Sequence, residues 1–431
     1  MARNTLWTGT AVERPLVVAV YLGFAHLALI GLGLAIALRP DALAATDAHP
    51  FAVAMTHALT LGWISASILG SLYMVLPLAL AVRLTVHLPD LAMAVGFALG
   101  AAGVVATTAI GRTDLVAGPG ALCTATFAWV GVRALRALVS SRCPRPITAH
   151  IAVAFASVLL AAALALAWGA GWLTLPRARF VTAHAHLAAI GFAVTMAIGI
   201  GHRLLPMFLP AAPRSESLMW ATLLVPTGAL AFALASLVAP RLALGAVGLL
   251  GAGLAAFFVS VVRLLRAQRP PPRDLVRPDP GKVQILFAVA CLLAAAGLGI
   301  ARAVSDAPTA PRLTLAYAVL GLFGFLGQLI VGIGARLFPT FVWAHAWRGK
   351  ADTGAPPAAS PVRMLSRPLM WVGLGGFAGA VAALGSTVGT PHVAWIRAGG
   401  VSLALAGTAL LTNLARCRRR ALGGDENRTS A

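Results

Sequence analysis

Apolar runs, each near the length of a membrane span, follow one another from residue 15 to residue 416 of a 431-residue chain. A helix needs about 20 such residues to cross a bilayer. In hydrocarbon every backbone polar group must be paired internally, so runs of this length read as helices. They lie near 15–38, 51–82, 89–111, 115–139, 148–172, 179–210, 217–238, 241–267, 281–304, 311–345, 367–387 and 391–416. The expected fold class is therefore all-α, a polytopic membrane protein of about twelve transmembrane helices. Spans 2, 6 and 10 exceed the needed length and should tilt or protrude. No small-residue cleavage site follows the first run, which reads as a span and not a removed signal peptide.

Composition agrees and removes other classes. With 59% hydrophobic and 10% charged residues, no soluble domain of this size is expected. The formal charge of +21 raises the question of nucleic acid. The arginines fall between the apolar runs, where cytoplasmic loops collect them, and no basic groove interleaved with aromatics is present. The partner read from this pattern is the lipid bilayer, with no nucleic acid. If both termini are cytoplasmic, the cytoplasmic segments hold 25 of the 33 Lys and Arg residues, which supports that orientation. The Pro-rich charged segments at 269–282 and 349–361 read as linkers. Cys123, Cys143, Cys291 and Cys417 are scattered, with no CxxC spacing and no CxxCH attachment site for covalent haem.

Three long spans carry a common pattern. Span 2 contains HALTLGWISASILGSLYMVLP, span 6 HLAAIGFAVTMAIGIGHRLLP and span 10 VLGLFGFLGQLIVGIGARLFP. Counted from His57, His186 and Val319, a Gly falls at offset five (Gly62, Gly191, Gly324) and another at offset thirteen (Gly70, Gly199, Gly332). A Pro falls at offset twenty (Pro77, Pro206, Pro339). The starts are 129 and 133 residues apart, one block of four spans. Glycine is abundant here, at 44 residues, but three positions kept in three strings at one interval exceed what abundance supplies. The expectation is three parallel four-helix repeats: 1–144, 145–278 and 279–431. The glycines would let a neighbouring backbone or a flat ring approach, and each Pro can bend or end its helix.

Histidine is the other signal. Polar groups in hydrocarbon are costly and mark function, and neutral imidazole is the commonest metal ligand. His57 and His186 occupy one repeat position. His184 lies two residues before His186, about 200° around the helix, and so faces another way. His26, midway along span 1, can face span 2. The bland alternative for each is an interhelical hydrogen bond to a carbonyl or hydroxyl. His202, His150, His345 and His392 fall near helix ends, and His49 and His87 in loops, so they carry less. No Asp or Glu is expected inside the membrane; Glu13, Glu216 and Glu426 lie outside the spans.

These features resemble the catalytic subunit of haem-copper oxidases: twelve helices in three blocks, with histidines near the outer ends of equivalent helices. The strings AHAHLAAIGF and THALTLGW also resemble smaller relatives, the NnrS-like haem and copper membrane proteins. The resemblance implies a multi-pass protein of a bacterial-type inner membrane that binds haem b, with copper as a second cofactor. It implies His57, His186, His184 and His26 as cofactor-binding candidates, the first three also as metal ligands. A cytochrome or quinol electron donor and a diatomic gas such as nitric oxide are the implied partners. The chain departs from the oxidases at Val319, where they carry histidine, and in span 7, which lacks their consecutive His pair. Without carboxylates along a membrane route, a proton-pumping oxidase is not expected. An electron-transfer or gas-binding haem protein remains, with an oxidoreductase activity left open. A different class is a transporter of a metal ion, haem or small solute, with the same histidines and Met55, Met74, Met196 and Met207 lining a path. The third reading is a subunit whose histidines only cross-link helices.

Overall fold

The computed structural model describes residues 15–45, 49–211, 215–270, 277–305, 310–348, 360–387 and 392–422. Among these, regular structure is helical, apart from one isolated bridge between Ala211 and Gln268. The described residues form twelve helices long and apolar enough to cross a membrane. They are α1 (Leu16–Leu38), α2 (Pro50–Leu78), α3 (Leu88–Ala109), α4 (Ala117–Val139), α5 (Arg145–Gly169) and α6 (Arg177–Phe208). Then come α7 (Glu216–Val238), α8 (Pro240–Arg266), α9 (Pro280–Val304), α10 (Arg312–Arg348), α11 (Arg367–Ser386) and α12 (Val393–Ala421). The two longest, α6 and α10, and α2, which equals α12 in length, are the three that share the sequence pattern. The two Pro-rich segments lie in part outside the described residues.

Local chemistry sets several starts. A helix leaves its first N–H groups unpaired, and His49, Ser215 and Asp279 accept from Phe51, Leu218 and Gly281 at the starts of α2, α7 and α9. Proline follows at the first turn of α2 and α9, where a missing N–H costs nothing. At the other end, α2 stops one residue after Pro77 and α6 two after Pro206, whereas α10 runs on past Pro339 to Arg348. The shared proline therefore ends two helices and is carried inside the third.

The helices close into a ring. The fourth helix of each presumed block meets the first of the next: α4 packs on α5, α8 on α9, and α12 on α1. The α12–α1 seam is tight, since a Cβ at Gly33 would sit 2.4 Å from the Ala404 nitrogen and one at Gly400 2.5 Å from the Ala37 nitrogen. Between transmembrane helices, van der Waals packing replaces the hydrophobic drive, and small residues allow the approach. Inside the ring α2, α6 and α10 touch one another pairwise.

Each central helix also departs from α geometry. The π-helical stretches are Ala58–Ser65, Leu187–Val194 and Val319–Gly327. The first two begin one residue after His57 and His186, the third at Val319. π-Helical turns are rare and concentrate at functional sites. The residue at offset six is aromatic in all three helices, and Trp63, Phe192 and Phe325 are each 1% exposed.

The pattern glycines have an assigned role, and it is not to receive a ring. At offset five, a Cβ on Gly62, Gly191 or Gly324 would meet Ala28, Ser157 or Cys291. At offset thirteen, Gly70, Gly199 and Gly332 abut Tyr21, His150 and Ile285. All six partners lie on α1, α5 or α9, so α2, α6 and α10 each use both glycines to seat against the membrane helix that precedes them in the chain. The expectation that the glycine after His186 makes room for a flat group is corrected accordingly: Ser157 fills that space, 2.8 Å from the missing Cβ.

The expectation of no acidic residue inside a span is corrected at α3. Asp90, in its first turn, is fully buried. Its carboxylate accepts from the Tyr73 hydroxyl (3.1 Å), the Trp129 indole (3.1 Å) and the His87 backbone N–H (2.7 Å), and Arg133 ion-pairs with it at 3.0 Å. A buried charge persists only when paired and hydrogen-bonded, and this one ties α2, α3 and α4 together.

Candidate functional site

The four histidines singled out by sequence separate into three environments. His57 of α2 and His184 of α6 face each other, with ring centroids 6.4 Å apart and planes at 45°. The His57 Nδ1–H donates to the Val53 carbonyl one turn back (2.9 Å), and the His184 Nδ1–H donates to the Ala161 carbonyl of α5 (3.0 Å). A carbonyl only accepts, so in the neutral ring the proton sits on Nδ1 and the lone pair on Nε2. Neither Nε2 has a hydrogen-bond partner among the described residues. A backbone-anchored Nδ1 with a vacant Nε2 is the arrangement that orients a ligating imidazole. His184 also stacks on Phe180 (5.6 Å), which stacks on Trp168 (4.3 Å, 5°). These two rings brace the plane of His184.

His186 is directed elsewhere. Its Nδ1–H donates to the Thr182 carbonyl (2.8 Å), and its ring meets Phe232 of α7 (4.5 Å) and Tyr317 of α10 (6.2 Å, 16°). The opposed directions of His184 and His186 agree with their two-residue spacing. The sequence pattern equates His57 with His186, but the spatial partner of His57 is His184. One rule covers both contacts. The residue at offset zero of a central helix lies beside the residue at offset minus two of the next: His57 by His184, and His186 by Tyr317. The remaining occupants of those two rows are Val319 and Met55. The minus-two row reads Met55, His184, Tyr317, and this row, left unexamined in the strings, is the signal that would have found the pair.

His26 stands apart. Its Nδ1–H donates to the Leu22 carbonyl (2.7 Å), and its ring meets the Trp63 indole edge-on at 5.1 Å, so it does face α2. The matching contact in the next segment is Phe155 with Phe192 (6.1 Å). His26 therefore occupies a position that a phenylalanine fills 129 residues later. It touches none of the other three imidazoles among the described residues.

Two histidines given little weight by sequence form a second buried cluster near the opposite ends of α5 and α6. His150 is fully buried and His202 is 5% exposed. The His150 Nδ1–H donates to the Pro146 carbonyl (2.7 Å). Its Nε2 lies 2.9 Å from the Thr222 hydroxyl, which lies 2.8 Å from the His202 Nε2. The Thr222 hydroxyl also lies 2.7 Å from the Met219 carbonyl, so its single proton is shared between that carbonyl and the His150 Nε2, while the hydroxyl oxygen can accept from the His202 Nε2–H. Proximity to helix ends hid this cluster in the sequence, where burial is not visible.

What the facing pair can hold follows from its donor count. Two imidazoles bound to one metal from opposite sides, at about 2 Å each, place their ring centroids about 6 Å apart. The observed 6.4 Å matches that span. Among the described residues no three His, Cys, Asp or Glu side chains gather as a metal cage. A metal at this pair would take its remaining ligands from something other than the protein, as a haem iron does from its macrocycle. The donor set fits such a group. Met55, Met74 and Met196 are buried in the core, while Met207 is exposed near the end of α6. Comparison with protein-family models and with curated proteins finds no match for this chain.

Proposed function

We propose that this integral membrane protein binds haem between His57 and His184 and passes electrons through it. The observation that carries the reading is the neighbouring pair, each Nδ1 held by a backbone carbonyl and each Nε2 without a hydrogen-bond partner among the described residues, with ring centroids 6.4 Å apart. A haem iron with two axial imidazoles supplies one-electron transfer and leaves no position for a substrate. The protein's part is to hold both rings: α2 carries His57, and α5 and the Phe180–Trp168 stack fix His184. Copper is another of the metals that imidazole suits.

The scaffold belongs to the proposal. We take the chain as three parallel four-helix segments, 1–144, 145–278 and 279–431, with both termini cytoplasmic in a bacterial-type inner membrane. The recurring glycine partners on α1, α5 and α9, the three π-helical stretches and the repeated seams support the segments. The distribution of arginine supports the orientation. This reading keeps the resemblance to haem-copper oxidases and NnrS-like proteins and moves the ligand role from His186 to His184.

A second reading rests on His186. Phe232 and Tyr317 across from it supply no second nitrogen. A metal held there keeps a position open to a diatomic gas such as nitric oxide. The transport alternative lacks a path of methionines on the exposed side of the bundle among the described residues, since Met55, Met74 and Met196 are buried in the core.

The test is a reduced-minus-oxidised absorption spectrum with metal analysis on protein from haem-replete cells. Electron transfer predicts a Soret band that shifts on reduction and ignores carbon monoxide. Gas binding predicts a carbon monoxide shift that His186→Ala removes. A colourless, iron-free protein refutes both.

A further inference from the structure

At the end of the bundle away from His57 and His184 lies a basin of about 880 Å³. It opens among the ends of α6, α8 and α10 and the starts of α9 and α11. Its size is that of a small-molecule site. Six cationic side chains line it: Arg269, Arg277, Lys282, Arg336, Arg363 and Arg367. Asp279 is the sole carboxylate in the lining, and it is committed to Arg336 and to capping Gly281. The Arg367 Nη2 donates to the Pro278 carbonyl (2.8 Å), while its Nε is buried with no hydrogen-bond partner. Lys282 donates to the Gln268 side-chain oxygen at 3.2 Å, a neutral acceptor. Arg269, Arg277 and Arg363 stand exposed at the rim. Five cations thus share one concavity with no counter-charge among the described residues.

Basic residues at a membrane edge are ordinarily solvated or spread along headgroups. This group differs in converging on a cavity whose remaining wall is apolar, with Met207, Phe208, Leu286 and Met370 lining it. Arginine's planar donors match phosphate oxygens in pairs. Basic pockets between transmembrane helices take up anionic headgroups. We propose that this basin binds a phosphate-bearing anion. The apolar wall beside the cations suits it to the headgroup and upper acyl chains of an anionic phospholipid. The site is independent of any metal at the histidines.

Native mass spectrometry on the purified full chain in detergent tests this, with phosphatidylglycerol, phosphatidylcholine and inorganic phosphate as probes. The combined change Arg269→Gln, Arg277→Gln and Arg363→Gln removes the rim charges. A control, Arg136→Gln, Arg142→Gln and Arg416→Gln, removes three exposed charges elsewhere. The wild type and control should hold phosphatidylglycerol about tenfold or more tightly than the rim variant. Phosphatidylcholine should bind all three alike. If inorganic phosphate displaces phosphatidylglycerol and shows the same dependence on the rim, the site stands and its ligand comes from solution. Equal binding of both anionic probes by rim variant and control overturns the site. Should the triple change fail to fold, Arg277→Gln and Arg363→Gln alone carry the same reading, at about threefold each.

Discussion

His57 and His150 begin alike and end differently. Each sits on a transmembrane helix and donates Nδ1–H to the carbonyl four residues back, Val53 in one case and Pro146 in the other. At His150 the second nitrogen is met by Thr222, and through it by His202. At His57 the second nitrogen has no hydrogen-bond partner among the described residues, and the imidazole of His184, its own Nε2 equally unpartnered, lies 6.4 Å away between ring centroids. The first is a closed network, and a closed network lends rigidity. The second is an open pair, and its vacant lone pairs are what a metal needs. A histidine in a membrane helix is thus classified by its second nitrogen, which neither residue type nor depth reveals.

The sharpest way to break the contrast is to remove one imidazole of each kind. If haem is held as proposed, His57→Ala or His184→Ala should abolish the low-spin band outright, since the proposal gives each one of the two iron-binding nitrogens. His150→Ala should leave the band in place, read in the same absorption spectra. A band that survives both His57→Ala and His184→Ala ends the assignment of that pair.

Thr222→Val tests the closed network without touching a ring. It removes the hydroxyl that meets the Nε2 atoms of His150 and His202 and should cost about 1–3 kcal/mol, read as a lowered midpoint in detergent-induced unfolding, with the spectrum unchanged. A spectral change would mean that the two clusters are not separate.

Gly199→Ala presses on the same network from behind. Its Cβ would lie 2.4 Å from the His150 Cβ, so one helix must shift, at about 1–3 kcal/mol. A thermal melt of the variant beside Gly248→Ala, which meets nothing within 4 Å, separates this clash from any general effect of alanine.

The smallest effect is expected at the histidine that belongs to neither kind. His26→Phe installs the residue found at the matching place against Phe192. Stability should change by no more than about 1 kcal/mol and the haem band not at all. Loss of the band would return His26 to the ligand set.

The spans were legible because bilayer thickness sets one length for every helix, and hydropathy registers it directly. Helix ends were less so: α2 stops at Leu78 although the apolar run continues to 82, because an apolar side chain does not mark where helical hydrogen bonding stops. The imidazoles of the candidate site were legible as misplaced polar groups. Their partnership was not, because His57 meets a residue at another offset of another segment, and alignment compares like with like. Asp90 escaped notice because a carboxylate in the first turn of a helix looks like a loop residue until Tyr73, Trp129 and Arg133 are seen to enclose it. Thr222 carried no mark in the sequence, since a single hydroxyl gains meaning only from the two rings on either side.

The three π-helical stretches bear on how such a protein can change. In regular α geometry each residue turns the chain by about 100°, and a π turn accommodates an extra residue without breaking the helix. Deleting one residue within Ala58–Ser65 would let the stretch return to even α winding, and because five residues of π helix cover roughly the arc of four in α geometry, His57 would keep nearly its present direction relative to Gly70 and Pro77. The seating of α2 on α1 and the facing of His57 toward α6 would both persist. The wide turn therefore acts as slack, letting this stretch gain or lose a residue without redirecting either end of the helix.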